Sequence, residues 1–162
     1  MTAEVNGLNE KLIHLLIEKG LKISTAESCT GGLLSALLTN VSGASEVLEE
    51  CIVTYSNEVK ERELGVKHET LEKYGAVSWQ TAEQMAVGIC NHTGADVGIG
   101  ITGIAGPTGG TAQKPVGTVF IGIAVKGKVR SYENHFEGCR DKVREQSCKF
   151  ALNKAIERVL EI

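Results

Sequence analysis

The chain has 162 residues and a formal net charge of −3; 42% of its residues are hydrophobic and 23% are charged. This length and composition suit one globular domain with its own core, so we expect a single domain over residues 1–162 and exclude a disordered chain. Because the net charge is slightly negative and no run of lysine or arginine occurs, no nucleic acid and no membrane surface is expected as a partner.

The first half of the sequence predicts one helix followed by two strand–helix units. Leucines at helical spacing predict a first helix that ends at a glycine. Residues 22–25 predict a short strand, and residues 31–40 predict a helix that begins at two glycines. Residues 51–55 are β-branched and apolar, which predicts a second strand followed by a helix capped by Ser56 or Asn57.

The second half predicts helices around 68–74 and 80–92, strands at 95–102, 116–125 and 128–136, and a last helix from Asp141 onward. The last two strands are joined by Lys126 and Gly127, a link that suits a tight antiparallel hairpin. Together the elements predict an α/β fold, a three-layer α/β/α sandwich with a mixed sheet.

Gly98, Gly100 and Gly103 match the G-x-G-x-x-G pattern of dinucleotide-binding sites. In such sites the first glycine follows a strand and a helix comes directly behind the motif. Here the glycines lie inside the predicted strand, and a proline-containing loop follows. They therefore indicate close packing of a helix on the sheet, and both a Rossmann site and a flavodoxin-like redox domain are disfavoured.

Several further features limit the class of protein. The sequence begins without a basic segment followed by an apolar one, and its longest apolar run, residues 116–125, is too short to cross a bilayer. The cysteines are widely spaced without a C-x-x-C pair, and the histidines are scattered. We therefore expect reduced thiols in a cytoplasmic protein, and no metal site or other cofactor.

Ser28 is the first candidate for chemistry, because it lies between a predicted strand and the predicted helix start at Gly31 and Gly32. Free N–H groups at a helix start could hold the oxyanion formed when a serine attacks a carbonyl carbon. Thr30, Gly31 and Gly32 are therefore candidate substrate-binding residues. In the competing interpretation, Ser28 or Thr30 only caps the helix. Cys29 is a rival nucleophile, but no recognisable motif places the histidine that a catalytic thiol needs.

Lys60 is the candidate base for Ser28. If Asn57 caps the following helix, Lys60 lies in its first turn, where the helix dipole disfavours a second positive charge and lowers the lysine pKa. A partly neutral lysine can accept the hydroxyl proton, and Tyr55 could relay that proton or orient either partner. The competing interpretation is a solvated lysine and a half-buried tyrosine.

Two further segments could hold a ligand. The glycine-rich loop at residues 102–110 follows a strand at the sheet edge where α/β proteins bind ligands. Arg140 and Arg144 are four residues apart at the start of the last helix and could together bind a phosphate or carboxylate. Alternatively, both arginines are ordinary solvated surface residues.

A resemblance to a known family covers nearly the whole chain in order. The segments that carry it are TAESCTGG, VTYSNEVK, GAVS, GITGIAGPTGG, KPVGTVFI and GCRDKVREQS. They resemble the CinA C-terminal domain family, whose stand-alone members are nicotinamide-nucleotide amidases (PncC). The resemblance implies hydrolysis of nicotinamide mononucleotide to nicotinic acid mononucleotide and ammonia, a step of pyridine-nucleotide recycling in NAD metabolism. It also implies a homo-oligomer.

The family's serine, lysine and tyrosine match Ser28, Lys60 and Tyr55. Its ligand-binding positions match Thr102, Gly103, Gly106, Pro107, Arg140 and Arg144. One departure is Cys139, which stands where many members have an aspartate that would cap the last helix. The alternative function is a non-catalytic nucleotide-binding or regulatory module that uses the same pocket.

Overall fold

The computed structural model describes the main chain of residues 3–162 and the side chains from residue 7 onward. The strands in this part of the chain are β1 (Ile23–Glu27), β2 (Leu48–Val53), β3 (Val97–Gly103), β4 (Thr118–Val125) and β5 (Lys128–His135). The helices are α1 (Ala3–Lys19), α2 (Leu33–Thr39), α3 (Asn57–Leu64), α4 (His68–Tyr74), α5 (Trp79–Thr93) and α6 (Arg140–Leu160), with a 3₁₀ turn at Ala44–Glu46.

The strands form one mixed sheet in the order β2-β1-β3-β4-β5. β1 lies between β2 and β3 and is parallel to both, whereas β4 is antiparallel to β3 and to β5. The hairpin between β4 and β5 turns at Lys126 and Gly127, both at positive φ, as the tight two-residue link predicts. The carboxyl ends of β1, β2 and β3 therefore meet at one edge of the sheet.

Two hydrophobic clusters confirm the predicted three-layer sandwich. The larger cluster joins α1, α2 and α6 to one face of the sheet, and its strand residues include Ile99 and Ile121. The smaller cluster joins α3, α4 and α5 to the other face around Met85 and Ile89. Because helices cover both faces, β1, β3 and β4 are buried along almost their whole length.

The glycines of β3 and β4 allow α5 to lie directly on the sheet. A Cβ added to Gly100 would lie 2.6 Å from the Ala82 carbonyl oxygen, and one added to Gly98 or Gly122 would also meet the α5 main chain. This contact confirms the packing interpretation of the glycines in β3. The residues after β3 form a loop up to β4 rather than a helix, so the arrangement of a Rossmann site is absent from the described residues.

Several boundaries differ from the predicted ones, and the differences matter for the site. β1 continues to Glu27, so Ser28 follows the strand directly, and β2 ends before Thr54 and Tyr55. α2 begins at Leu33 instead of at the two glycines. Among residues 3–162, no helix is both long and apolar enough to cross a bilayer.

Candidate active site

Ser28 and Lys60 lie side by side at the carboxyl ends of β1 and β2. Lys60 Nζ is 3.1 Å from Ser28 Oγ, and it also donates to the carbonyl oxygens of Thr54 at 2.7 Å and Tyr55 at 3.2 Å. Ser28 is held in turn because its N–H donates to the Ile101 carbonyl of β3. The sheet topology thus brings a hydroxyl and an amine together although 32 residues separate them in sequence.

Lys60 is almost completely buried, with 1% of its surface exposed. Burial disfavours the charged ammonium and lowers the pKa of Lys60 from 10.5 to about 8. The predicted lowering of the Lys60 pKa agrees with this value, but its predicted cause, a place in the first turn of a helix capped by Asn57, is wrong. Ser56 caps α3, and the Lys60 N–H already donates to the Ser56 carbonyl, so Lys60 lies just beyond the first turn. Loss of hydration, rather than the helix dipole, is the cause of the lower pKa.

The helix start after Ser28 is already occupied, which overturns the predicted oxyanion site there. The buried Glu27 carboxyl accepts hydrogen bonds from the N–H groups of Gly32 at 3.1 Å, Leu34 at 3.1 Å and Ser35 at 2.8 Å. The capping interpretation is also wrong, because Gly32 caps α2 without a side-chain bond and Ser28 Oγ contacts Lys60 instead. Any ligand at this end of α2 would have to displace Glu27.

The turn from Ser28 to Gly32 leaves two N–H groups free. Gly31 N–H donates to the Ser28 carbonyl oxygen at 3.0 Å, which closes the turn, and Gly32 N–H donates to Glu27. Within the described part of the chain, the N–H groups of Cys29 and Thr30 donate to no other residue. They are the main-chain donors nearest in sequence to the Ser28 hydroxyl.

Cys29 is beside Ser28, but its thiol is a poor nucleophile in this environment. Burial, reinforced by the charge of Glu27, raises the pKa of the Cys29 thiol to about 12. The reactive form of cysteine is the thiolate, which such a pKa makes scarce at neutral pH. The geometry therefore favours the hydroxyl of Ser28 over the neighbouring thiol.

A cavity of about 270 Å³ opens beside Ser28 and Lys60. The predicted site residues that line it are Ser28, Tyr55, Lys60, Thr102, Gly103, Gly106 and Arg140, and the rival nucleophile Cys29 lines it as well. The predicted residues that do not line it are Thr30, Gly31, Gly32, Pro107 and Arg144. Lining residues that the sequence prediction missed are Ala76, Val77, Ile104, Ala105, Thr108 and Gly109. All six lie inside the motifs GAVS and GITGIAGPTGG, and four of them belong to the loop at residues 102–110 that is predicted as a whole to hold a ligand.

Arg140 and Arg144 lie in different places, which does not support the prediction that they bind one phosphate or carboxylate together. Arg140 lines the cavity, where it donates to the Gly106 carbonyl at 2.9 Å and to the Tyr55 hydroxyl at 3.3 Å. Arg144 instead donates to the Thr30 carbonyl at 2.8 Å and supports the turn after Ser28. The Tyr55 hydroxyl thus contacts Arg140, whereas Lys60 is bound by the Tyr55 carbonyl.

Cationic groups dominate the polar lining of the cavity. Lys60 and Arg140 both reach it, and among the side chains from residue 7 onward no aspartate or glutamate lines it. In the described residues no group of three histidine, cysteine, aspartate or glutamate side chains is arranged to hold a metal ion. The cavity therefore suits a ligand that carries negative charge.

The sequence matches the family model of the CinA C-terminal domain over residues 5–159. It is 53% identical over 146 residues to a CinA-like protein from Kosmotoga olearia, covering 90% of this chain and 35% of that protein. It is 52% identical over 137 residues to a CinA-like protein from Dictyoglomus turgidum, covering 85% of this chain and 33% of that protein. The chain thus spans about a third of the length of these curated relatives.

Solved structures with the same fold cover nearly the whole chain. The competence/damage inducible protein CihA from Agrobacterium tumefaciens is 40% identical with a TM-score of 0.94, covering 97% of this chain and 96% of that one. A CinA superfamily protein from Klebsiella pneumoniae is 34% identical with a TM-score of 0.94, covering 98% of this chain and 99% of that one. These proteins therefore share the sheet and its helices over nearly the whole of this chain.

Proposed function

The chain belongs to the CinA C-terminal domain family, and from this membership and the Ser28–Lys60 contact we propose that it is a nicotinamide-nucleotide amidase. In the proposed reaction, nicotinamide mononucleotide and water give nicotinic acid mononucleotide and ammonia. The amidase domain comprises the whole described chain. The observation that carries the proposal is a buried lysine, with a lowered pKa, in contact with a serine hydroxyl.

The hydrogen bonds of Lys60 support its role as the general base. A neutral amine has two N–H donors and one lone pair. The carbonyl oxygens of Thr54 and Tyr55 can only accept, so they take the two N–H groups. The remaining neighbour is Ser28 Oγ at 3.1 Å, and its proton is the natural partner for the lone pair.

Acyl transfer then proceeds in two steps that both use Lys60. Lys60 accepts the hydroxyl proton while Ser28 Oγ attacks the carboxamide carbon, and the protonated lysine returns the proton to the departing nitrogen, so ammonia leaves. In the second step Lys60 accepts a proton from water, the hydroxide attacks the ester carbon, and Ser28 regains its proton. The products are the original enzyme and the carboxylic acid, which releases its proton to solvent and becomes the carboxylate.

The free N–H group of Cys29, a residue that lines the cavity, is the proposed donor to the oxyanion of both tetrahedral intermediates. It replaces the N–H groups at the start of α2, which Glu27 occupies. An oxyanion donor of this kind typically contributes about 3 kcal/mol to transition-state stabilisation. This assignment keeps the oxyanion beside the nucleophile without displacing a buried carboxyl group.

The cationic cavity supports a nucleotide monophosphate as the substrate. Arg140 is the proposed phosphate ligand, since it can offer two N–H groups in a planar fork. Its bonds to Gly106 and Tyr55 already fix the position of the guanidinium group. The contacts of Tyr55 favour an orienting role over proton relay, because its carbonyl holds Lys60 and its hydroxyl holds Arg140.

The experiment is ammonia release from nicotinamide mononucleotide by the purified chain and two matched variants. Ser28→Ala should abolish turnover while the thermal unfolding midpoint stays close to wild type. Cys29→Ala, one residue away, should keep most of the activity. Turnover that persists in Ser28→Ala would refute the serine mechanism, and near-complete loss in Cys29→Ala would indicate a thiol mechanism. Binding of the nucleotide without ammonia release would favour the non-catalytic binding module.

A further inference from the structure

Glu27 is a buried acidic residue that the proposed reaction does not use. Its exposed fraction is 0%, and it is the last residue of β1, directly before Ser28. Besides the three N–H groups of Gly32, Leu34 and Ser35, its carboxyl also accepts a bond from the Ser35 hydroxyl. Main-chain N–H groups can only donate, so this set of partners requires acceptors at both carboxyl oxygens.

These bonds close the turn that carries the nucleophile. The chain leaves β1 at Glu27, passes through Ser28, and returns to the Glu27 side chain at Gly32. Gly31 and Gly32 both have positive φ, which allows this reversal within a few residues. The Glu27 carboxyl is therefore the fixed point at which both ends of the turn meet.

Glu27 is also linked to the partner of the nucleophile. Its main-chain carbonyl accepts the Thr54 N–H at 2.8 Å, and the Thr54 carbonyl in turn accepts Lys60 Nζ at 2.7 Å. One residue thus connects the turn that holds Ser28 with the peptide that holds Lys60. A small displacement of Glu27 would change the distance between the hydroxyl and the amine.

We propose that Glu27 is a positioning residue for Ser28, because its carboxyl holds the nucleophile turn against the start of α2 and leaves the Cys29 N–H group free at the cavity. The inference rests on the proposed function only in taking Ser28 as the nucleophile. It predicts that Glu27 affects the reactivity of Ser28 toward any electrophile. It also predicts little effect on binding, because Glu27 is not among the residues that line the cavity.

The test uses the whole chain and the variant Glu27→Gln. A glutamine amide keeps the shape, but its NH₂ group faces at least one N–H donor and cannot accept from it. The first readout is covalent labelling of Ser28 by phenylmethanesulfonyl fluoride, followed by intact-mass spectrometry over a range of reagent concentrations. The second readout is ammonia release from nicotinamide mononucleotide. Both are measured at a temperature where each variant is folded by circular dichroism.

The expected result for Glu27→Gln is a maximal labelling rate lower by about tenfold or more, with the half-saturating reagent concentration within about threefold of wild type. The kcat for ammonia release should fall by a similar factor, with KM nearly unchanged. The control Glu133→Gln removes the same charge from an exposed ion pair with His135 on β5, and it should behave like wild type. If Glu27→Gln does not fold, Glu27→Asp keeps the charge but shortens the side chain, and its labelling rate should fall by about threefold or more.

Several outcomes would overturn the inference. The first is that a folded Glu27 variant is labelled at Ser28 at the wild-type rate. The second is that the variant changes only the half-saturating reagent concentration or KM, with the maximal labelling rate and kcat unchanged. An equal loss in Glu133→Gln would also overturn it. If labelling depends on Glu27 but the wild type releases no ammonia, the positioning role stands and the proposed function fails. Absence of both Ser28 labelling and ammonia release in the wild type would overturn both. If the wild type releases ammonia without being labelled, kcat and KM of the Glu27 variants decide the inference.

Discussion

The pH dependence of the proposed reaction follows from the burial of Lys60. With a pKa of about 8, about a tenth of the molecules carry a neutral Lys60 at pH 7. An amine at the ordinary value of 10.5 would be neutral in about 0.03% of molecules at that pH. Burial therefore raises the population of the competent base by a factor of about 300.

The rate should consequently rise by about tenfold per pH unit below pH 8 and level off above about pH 8. The measurement is kcat/KM for ammonia release between pH 6 and about pH 9, because kcat/KM reports the ionisation of the free enzyme. The variant Lys60→Arg keeps a positive charge that cannot be lost, because the guanidinium pKa lies above about 12. Its activity should fall by about a thousandfold at pH 8, and the tenfold rise per pH unit below pH 8 should be lost.

The control is Lys142→Arg, since Lys142 forms an exposed ion pair with Glu145 and should tolerate the change. A rate that levels off near pH 6.5, where histidine titrates, would contradict the assignment of Lys60 as the base. A rate that still rises through pH 9 would show that Lys60 titrates as an ordinary lysine. Substantial activity in Lys60→Arg would also contradict the assignment of Lys60 as the base.

Four further predictions concern stability and assembly. Gly100→Ala should destabilise the fold by about 3 kcal/mol in urea unfolding, because its Cβ would lie 2.6 Å from the Ala82 carbonyl oxygen. Cys139→Asp should stabilise it by about 1 kcal/mol and raise the thermal midpoint, since Cys139 caps α6 without a side-chain bond. In Lys60→Met, the free energy of unfolding should increase less between pH 7 and pH 10 than it does in the wild type. Wild-type Lys60 binds more protons unfolded than folded between about pH 8 and 10.5, so its burial costs about 3 kcal/mol below that window and less above it. Size-exclusion chromatography should show a species larger than the 17.3 kDa monomer, and elution as a monomer would contradict the expected homo-oligomer.

The fold could be predicted from the sequence because its signals are local. The periodicity of α5, the alternation of β3 and the Lys126–Gly127 hairpin each specify an element and its neighbour. The antiparallel pairing of β3 with β4 has no such signal, because a long loop joins them and only packing fixes their direction. The same reasoning could place Ser28 and Tyr55 at strand ends, but it could not give the distance from Ser28 to Lys60.

The hydrogen bonds between the Glu27 carboxyl and the start of α2 could not be predicted from hydrophobic periodicity. β1 is buried on both faces, so its residues show no alternation, and the sequence predicts a strand that ends before Glu27. A glutamate at such a position looks like an ordinary loop residue. Its role appears only when the side chain is seen to turn back onto Gly32, Leu34 and Ser35. The sequence signal that remains is weak: an acidic residue five positions before a glycine at a helix start.

Glu27 and Lys60, two buried charged-type residues of the site, have opposite effects on the stability of the fold. Glu27 is surrounded by donors that satisfy its carboxyl group, so burying it keeps its hydrogen bonds and fixes the turn. Among the described side chains, Lys60 has two carbonyls and one hydroxyl as partners and no carboxylate within bonding distance. A carboxylate there would stabilise the ammonium form and remove the proposed base. Burial of Lys60 without an ion pair thus costs folding free energy, and it also raises the share of neutral amine beside Ser28.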